Sequence, residues 1–166
     1  MIPYSIDEYY KDIKILADRI NIYSDEVKSE HLKWSPDLII SIARGGCVPG
    51  VYLSHLLSVP LEVVTWQTRD GHRKEWPNMH EGRQVLLVDD INDSGLTFKQ
   101  IHDCFYDDYQ WDRKKVKQNV KTASLWERAG SQFSVDFYAR KVDTKDWIIF
   151  PWELPPKEEM NESSRL

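Results

Sequence analysis

The chain has 166 residues, 41% hydrophobic and 30% charged, a balance that fits one soluble globular domain with a full core. Its net charge of −5 argues against general nucleic-acid binding, so a polyanionic ligand must be met by local Arg, Lys, backbone N–H groups or Mg²⁺. No apolar run reaches the ~18 residues needed to cross a membrane, and the start, Met1-Ile2-Pro3-Tyr4-Ser5-Ile6, lacks the basic and apolar regions of a signal peptide.

Ser5 and Glu8 make a capping-box pair. Ile6, Tyr9, Tyr10, Ile13, Ala17 and Ile20 follow at helical spacing, which predicts an amphipathic helix from residue 6 to about 22, with room to continue to Val27. Trp34-Ser35-Pro36 breaks the chain. Residues 37–43 then read as a strand buried on both faces, running into Arg44-Gly45-Gly46. Pro49 suits the first turn of a helix, predicted over about 48–57. The glycines before it let the backbone approach a ligand and turn N–H groups toward an anion. Residues 61–66 give a third strand. Residues 67–82 show no apolar periodicity, and a loop of that length in a compact domain is functional or disordered. Its Arg69, Arg73 and Lys74 supply cations. The five histidines show no metal-ligand spacing. Cys47 and Cys104 read as reduced thiols of a cytoplasmic protein.

The rest is organised around Val85-Leu86-Leu87-Val88-Asp89-Asp90-Ile91-Asn92-Asp93-Ser94-Gly95-Leu96-Thr97. Four aliphatics without alternation predict a strand buried on both faces. Unpaired charges are costly to bury, so the strand is expected to end at Asp89 and Asp90. That places the acids at a carboxyl edge, where open α/β sheets bind ligands. The turn after them opens a helix whose free N–H groups and hydroxyls suit a phosphate. Acids for ribose hydroxyls or a metal, beside a phosphate cradle, describe a site for a phosphorylated sugar. The helix is predicted to about residue 108 through Phe98, Ile101 and Phe105. The basic run Arg113-Lys114-Lys115-Val116-Lys117 reads as a solvated loop. Residues 120–126 give a fourth strand, residues 135–138 a short edge, and residues 146–153 close the fold. The tail from Pro155 is Pro, Glu and Ser rich and reads as loose.

Residues 85–97 resemble the phosphoribosyl-pyrophosphate signature of the type I phosphoribosyltransferases: a hydrophobic strand, two acids, then Asp-Ser/Thr-Gly-x-Thr. Ser41-Ile42-Ala43-Arg44-Gly45-Gly46-Cys47-Val48-Pro49-Gly50 resembles the pyrophosphate loop of the xanthine-guanine (6-oxopurine) phosphoribosyltransferases. Trp147-Ile148-Ile149-Phe150-Pro151-Trp152-Glu153 resembles their hood segment. The resemblance implies an α/β, type I phosphoribosyltransferase fold with a mostly parallel central sheet, flanking helices and a small C-terminal hood. It implies a single domain over residues 1–166, with a flexible loop at about 67–82, the hood at about 127–154 and a loose tail at 155–166.

It also implies the chemistry. A purine salvage enzyme of this kind transfers the phosphoribosyl group from phosphoribosyl pyrophosphate to guanine, xanthine or hypoxanthine, with release of pyrophosphate and dependence on Mg²⁺. Ser94, Gly95, Leu96 and Thr97 would cradle the 5-phosphate. Asp89 and Asp90 would hold the ribose hydroxyls, directly or through the metal. Arg44, Gly45, Gly46 and, from the loop, Arg73 would take pyrophosphate. Asp93 would be the general base near the purine. Trp147 would stack on the base, with Ile148 reading its edge through the backbone, whereas Trp152 reads as packed. The family's base-reading lysine is absent. Arg128 takes its place in one register and keeps donor chemistry, and Glu127 takes it in the other, where it could only accept. The resemblance further implies a cis peptide at Ala43-Arg44 or Arg44-Gly45, no nucleic-acid or membrane partner, and a dimer or tetramer of identical chains. A regulator on the same fold that senses nucleotides, or a transferase for another base, are the alternatives.

Overall fold

Aliphatic runs in two strands set the middle of the sheet. The computed structural model describes residues 1–26, 34–66, 73–74, 82–107 and 110–153. In chain order the elements are β1 (Ile2–Pro3), α1 (Ile6–Glu26), β2 (Leu38–Ala43), α2 (Cys47–Leu57), β3 (Leu61–Trp66) and β4 (Arg73–Lys74). After these come β5 (Val85–Asn92), α3 (Leu96–Asp107), α4 (Arg113–Asn119), β6 (Val120–Arg128), β7 (Phe137–Val142) and β8 (Ile148–Ile149).

The sheet order is β4-β3-β2-β5-β6-β7. Every pairing is parallel except β3 with β4. Both faces are covered, which is why β2 and β5 show no alternation. Leu86 and Val88 of β5 pack in the core formed with Tyr9, Ile13, Leu16 and Ile20 of α1 and Leu53 of α2. Val85 and Leu87 pack on the other side, with Phe98, Ile101 and Phe105 of α3 and Val116 of α4. The capping box is present: Glu8 N donates to Ser5 Oγ at 3.2 Å and Ser5 N to Glu8 Oε2 at 3.0 Å.

The chain leaves β2 toward β3 and leaves β5 toward β6, in opposite directions from the middle of the sheet. A crevice opens at such a switch point, beyond the carboxyl ends of the two strands.

Four expectations change. The strand does not end at Asp89 and Asp90 but continues to Asn92. It can hold the acids because β2 pairs with it only as far as Val88, while β6 continues to Asn92. One flank of the acids is thus free of a neighbouring strand. The basic run is not a loop. It is α4, begun by Asp112, whose side chain accepts from Lys115 N at 2.8 Å, and seated by buried Val116. The hood is not C-terminal alone, since β1 pairs in parallel with β8. Residues 67–82 are not without strand, because Arg73–Lys74 pair with Trp66 and Thr65.

The cap of α4 gives a direct test. Asp112→Ala removes the cap's hydrogen bond from Lys115 N and is expected to cost about 1 kcal/mol of stability. Urea melts should show a lower midpoint at unchanged slope.

Candidate active site

The crevice is walled first by the turn after β2. The Ala43-Arg44 peptide bond is cis, at one of the two positions expected. Gly46 N donates to Ile42 O at 2.9 Å and Cys47 N to Arg44 O at 3.1 Å, closing the turn into α2. The glycines are required by proximity. A Cβ on Gly45 would lie 2.2 Å from Asp90 Oδ2, and one on Gly46 would lie 2.3 Å from Val88 O. The turn therefore rests directly on the acids of β5.

Asp90 is 9% exposed. Burial, aided by the nearby charge of Glu153, pushes its pKa up to about 6 despite the Ile91 N–H bonded to its carboxylate at 2.8 Å. Asp89 is pushed up as well, first by burial and then by the charge of Asp90. Among the described residues neither acid has a cationic side-chain partner. Two adjacent carboxylates held at this cost, with no protein cation, suit a hard cation that keeps phosphate and water ligands. No cluster of three or more metal-ligating side chains occurs among the described residues, so the protein would supply only part of a shell.

Beyond β5 the chain turns at Asp93. Gly95 has φ +82°, a conformation that favours glycine. Leu96 then opens α3, with Leu96 N donating to Ser94 Oγ at 3.3 Å and Lys99 N to Gly95 O at 3.0 Å. Ser94, Gly95, Leu96 and Thr97 thus sit at a helix start, where free N–H groups gather.

A cavity of about 790 Å³ brings together Arg44, Gly45, Asp90, Asp93, Arg128, Trp147 and Ile148, with Ile91, Ile149, Phe150, Trp152 and Glu153 completing its lining. Gly46, Asp89 and residues 94–97 do not line it. Trp147 is 64% exposed, an open indole face on the cavity. Ile148 is buried in the hood, so only its backbone is available to a ligand. Trp152 stacks on Phe150 with ring centroids 5.0 Å apart, as expected for a packing residue. Arg73 lies in the edge strand β4, with β3 and β2 between it and β5. Its side chain, Arg69 and the rest of the expected loop, residues 67–72 and 75–81, lie outside the described residues, as does the tail from 155 onward.

The two candidates at the end of β6 differ in where they lie. Arg128 lines the cavity. Its Nε pairs with Asp93 Oδ1, its Nη2 donates to Asp146 O at 3.2 Å, and its Nη1 is buried without a partner. Glu127 is 2% exposed, accepts from Asn92 Nδ2 at 2.7 Å and does not line the cavity. Two contributors went unread in the sequence. Ile2 N donates to Trp147 O at 2.7 Å and Tyr4 N to Ile149 O at 3.0 Å, so the N-terminal strand carries the hood. The apolar Ile2-Pro3-Tyr4 before the capping box was the available signal. Glu153 was visible within the hood motif, and its Oε2 accepts from Phe150 N at 3.1 Å.

A family model for the phosphoribosyl transferase domain matches residues 5–159. The xanthine-guanine phosphoribosyltransferase of Cereibacter sphaeroides is 23% identical over 160 residues, covering 90% of this chain and 85% of that protein. The one from Desulfotalea psychrophila is 25% identical over 158 residues, covering 91% and 85%. Among solved structures, a purine phosphoribosyltransferase from Pyrococcus horikoshii superposes with TM-score 0.68 at 27% identity, covering 93% and 95% of the two chains. A xanthine-guanine-hypoxanthine phosphoribosyltransferase from Helicobacter pylori gives TM-score 0.72 at 20% identity, covering 99% of each. With the matched domain spanning the acids, the phosphate turn and the hood, the chain belongs to the phosphoribosyl transferase domain family.

Proposed function

We propose that the protein transfers the phosphoribosyl group from phosphoribosyl pyrophosphate to a 6-oxopurine in cytoplasmic purine salvage. The observation that carries this reading is the Asp93–Arg128 pair beside Trp147. A 6-oxopurine protonated at the ring nitrogen beside its oxo group presents an acceptor next to a donor. The guanidinium of Arg128 donates to the oxygen, and Asp93 accepts from the nitrogen. Adenine presents an amino group where the oxygen would be, and that donor meets a guanidinium that can only donate. Trp147 supplies a stacking face.

The remaining roles are supported by the sequence motifs and, apart from Arg73, by a place at the carboxyl ends of β2 and β5. Ser94, Gly95, Leu96 and Thr97 bind the 5-phosphate. Asp89 and Asp90 hold the ribose hydroxyls and would hold Mg²⁺. When bound, Mg²⁺ supplies neutralisation of the charge on the departing pyrophosphate. Arg44, Gly45 and Gly46, with Arg73, bind the pyrophosphate. As the bond from the sugar to pyrophosphate breaks and the bond to the purine forms, Asp93 takes the purine's proton.

The test is pyrophosphate release from phosphoribosyl pyrophosphate with Mg²⁺ and a panel of free bases. Guanine, xanthine or hypoxanthine should release it and adenine should not. Release with adenine or a pyrimidine alone would reassign the acceptor, and silence with every base would favour a ligand-sensing regulator. Trp147→Ala should raise the KM for the base about 5- to 100-fold through lost stacking. The apparent affinity for phosphoribosyl pyrophosphate should hold.

We also propose self-association. Val51 and Leu56 on α2 and Val63 on β3 are exposed, apolar area that a second copy would cover. Light scattering that gives a single-chain mass would overturn this.

A further inference from the structure

Glu127 and Asn92 are charged and polar groups, 2% and 1% exposed, that the chemistry above does not use. They are partners in register on β6 and β5. Asn92 Nδ2 donates to Glu127 Oε2 at 2.7 Å and also to Phe133 O. Ser131 Oγ donates to the same carbonyl at 2.8 Å. From that turn Gln132 N donates to Ser94 O at 3.0 Å. A Cβ on Gly95 would lie 2.5 Å from Phe133 N. The segment 131–133 is therefore the floor of the phosphate loop, and the Asn92–Glu127 pair ties that floor to two strands.

Each member of the pair also precedes a residue of the base site. Asp93 follows Asn92, and Arg128 follows Glu127. Successive side chains on a strand point to opposite faces. Glu127 and Arg128 are successive residues of β6 and Asp93 is the first residue past β5, so the buried pair lies behind the Asp93–Arg128 ion pair that fronts the cavity. The pyrophosphate turn has a separate footing, on Val88 and Asp90.

We propose that Asn92 and Glu127 are positioning residues, which hold the phosphate loop and the base-reading pair in one geometry for the transfer reaction on which this role rests. One buried hydrogen bond then sets the nucleotide end of the site and leaves the pyrophosphate end alone. A buried acceptor lost from such a bond is expected to weaken binding of guanosine monophosphate by about tenfold in Glu127→Met. Binding of inorganic pyrophosphate should stay within about twofold of wild type. Glu127→Gln keeps an oxygen that accepts from Asn92 and should restore nucleotide affinity to within about twofold. Asn92→Ala removes the donor, should match Glu127→Met, and reads the same quantity if the methionine variant does not fold. Calorimetry with both ligands distinguishes the outcomes. Equal losses for both ligands, no loss of nucleotide affinity, or a glutamine variant as weak as the methionine one would overturn the role. If the variants show this affinity pattern yet wild-type protein releases no pyrophosphate with any base, the pair still positions the nucleotide end of the site and the transferase reading falls.

Discussion

Asp93→Asn is expected to lower turnover by about 10²–10⁴-fold while binding of phosphoribosyl pyrophosphate changes little. The side chain is 61% exposed at the end of β5 and pairs with Arg128, so it is reached by a base seated on Trp147. Asparagine is nearly isosteric and its oxygen still accepts hydrogen bonds from Arg128 and from the purine N–H. It cannot take the proton. A loss confined to the chemical step is therefore the signature of proton transfer, and it would appear as reduced kcat at near-constant KM for the sugar substrate. A merely structural Asp93 would instead loosen Arg128 and raise the KM for the base. The measurement is steady-state kinetics over both substrates, and an unchanged kcat would sink the assignment.

How far the sequence foretold the site depends on how local each feature is. The β2 and β5 runs were readable because burial on both faces leaves an aliphatic signature within a few residues. The Arg44-Gly45-Gly46 and 93–97 turns were readable because each follows a strand and opens a helix. Most of the failures share a cause: each was decided by a neighbour distant in sequence. Asp89 and Asp90 stay in β5 because β2 stops pairing at Val88, which nothing in residues 85–97 encodes. β1 is a strand only because β8 lies beside it. α4 carries a single buried apolar residue, Val116, too few to make a periodic pattern. The choice between Glu127 and Arg128 turned on strand register. β6 is buried almost throughout, so alternation gave no hint of which residue faced the cavity.

Asp90→Asn is expected to make the protein more stable and less able to use its sugar substrate. The folded-state pKa of Asp90 is about 6, above the ordinary 3.8. For a carboxylate this means that the folded state binds its proton more tightly than the unfolded chain does. Its contribution is thus most favourable below the ordinary value and is lost as pH rises from about 4 to about 6. At neutral pH the ionised group is a net cost, on the order of 1–3 kcal/mol for a shift of this size. The amide removes that cost and relieves Asp89, whose own pKa is raised in part by the charge of Asp90. Its oxygen can still accept from Ile91 N, as Asp90 Oδ1 does at 2.8 Å. The melting temperature at neutral pH should therefore rise by several degrees, and the variant's stability should vary less between pH ~4 and ~6 than the wild type's. The same carboxylate is proposed to meet ribose hydroxyls or Mg²⁺, where a neutral amide is a weak substitute. The KM for phosphoribosyl pyrophosphate should rise about 10- to 100-fold. Thermal melts across pH, paired with substrate titrations, read both effects on one variant. A lower melting temperature at neutral pH would mean that the charge of Asp90 is satisfied within the fold and not held open for a ligand.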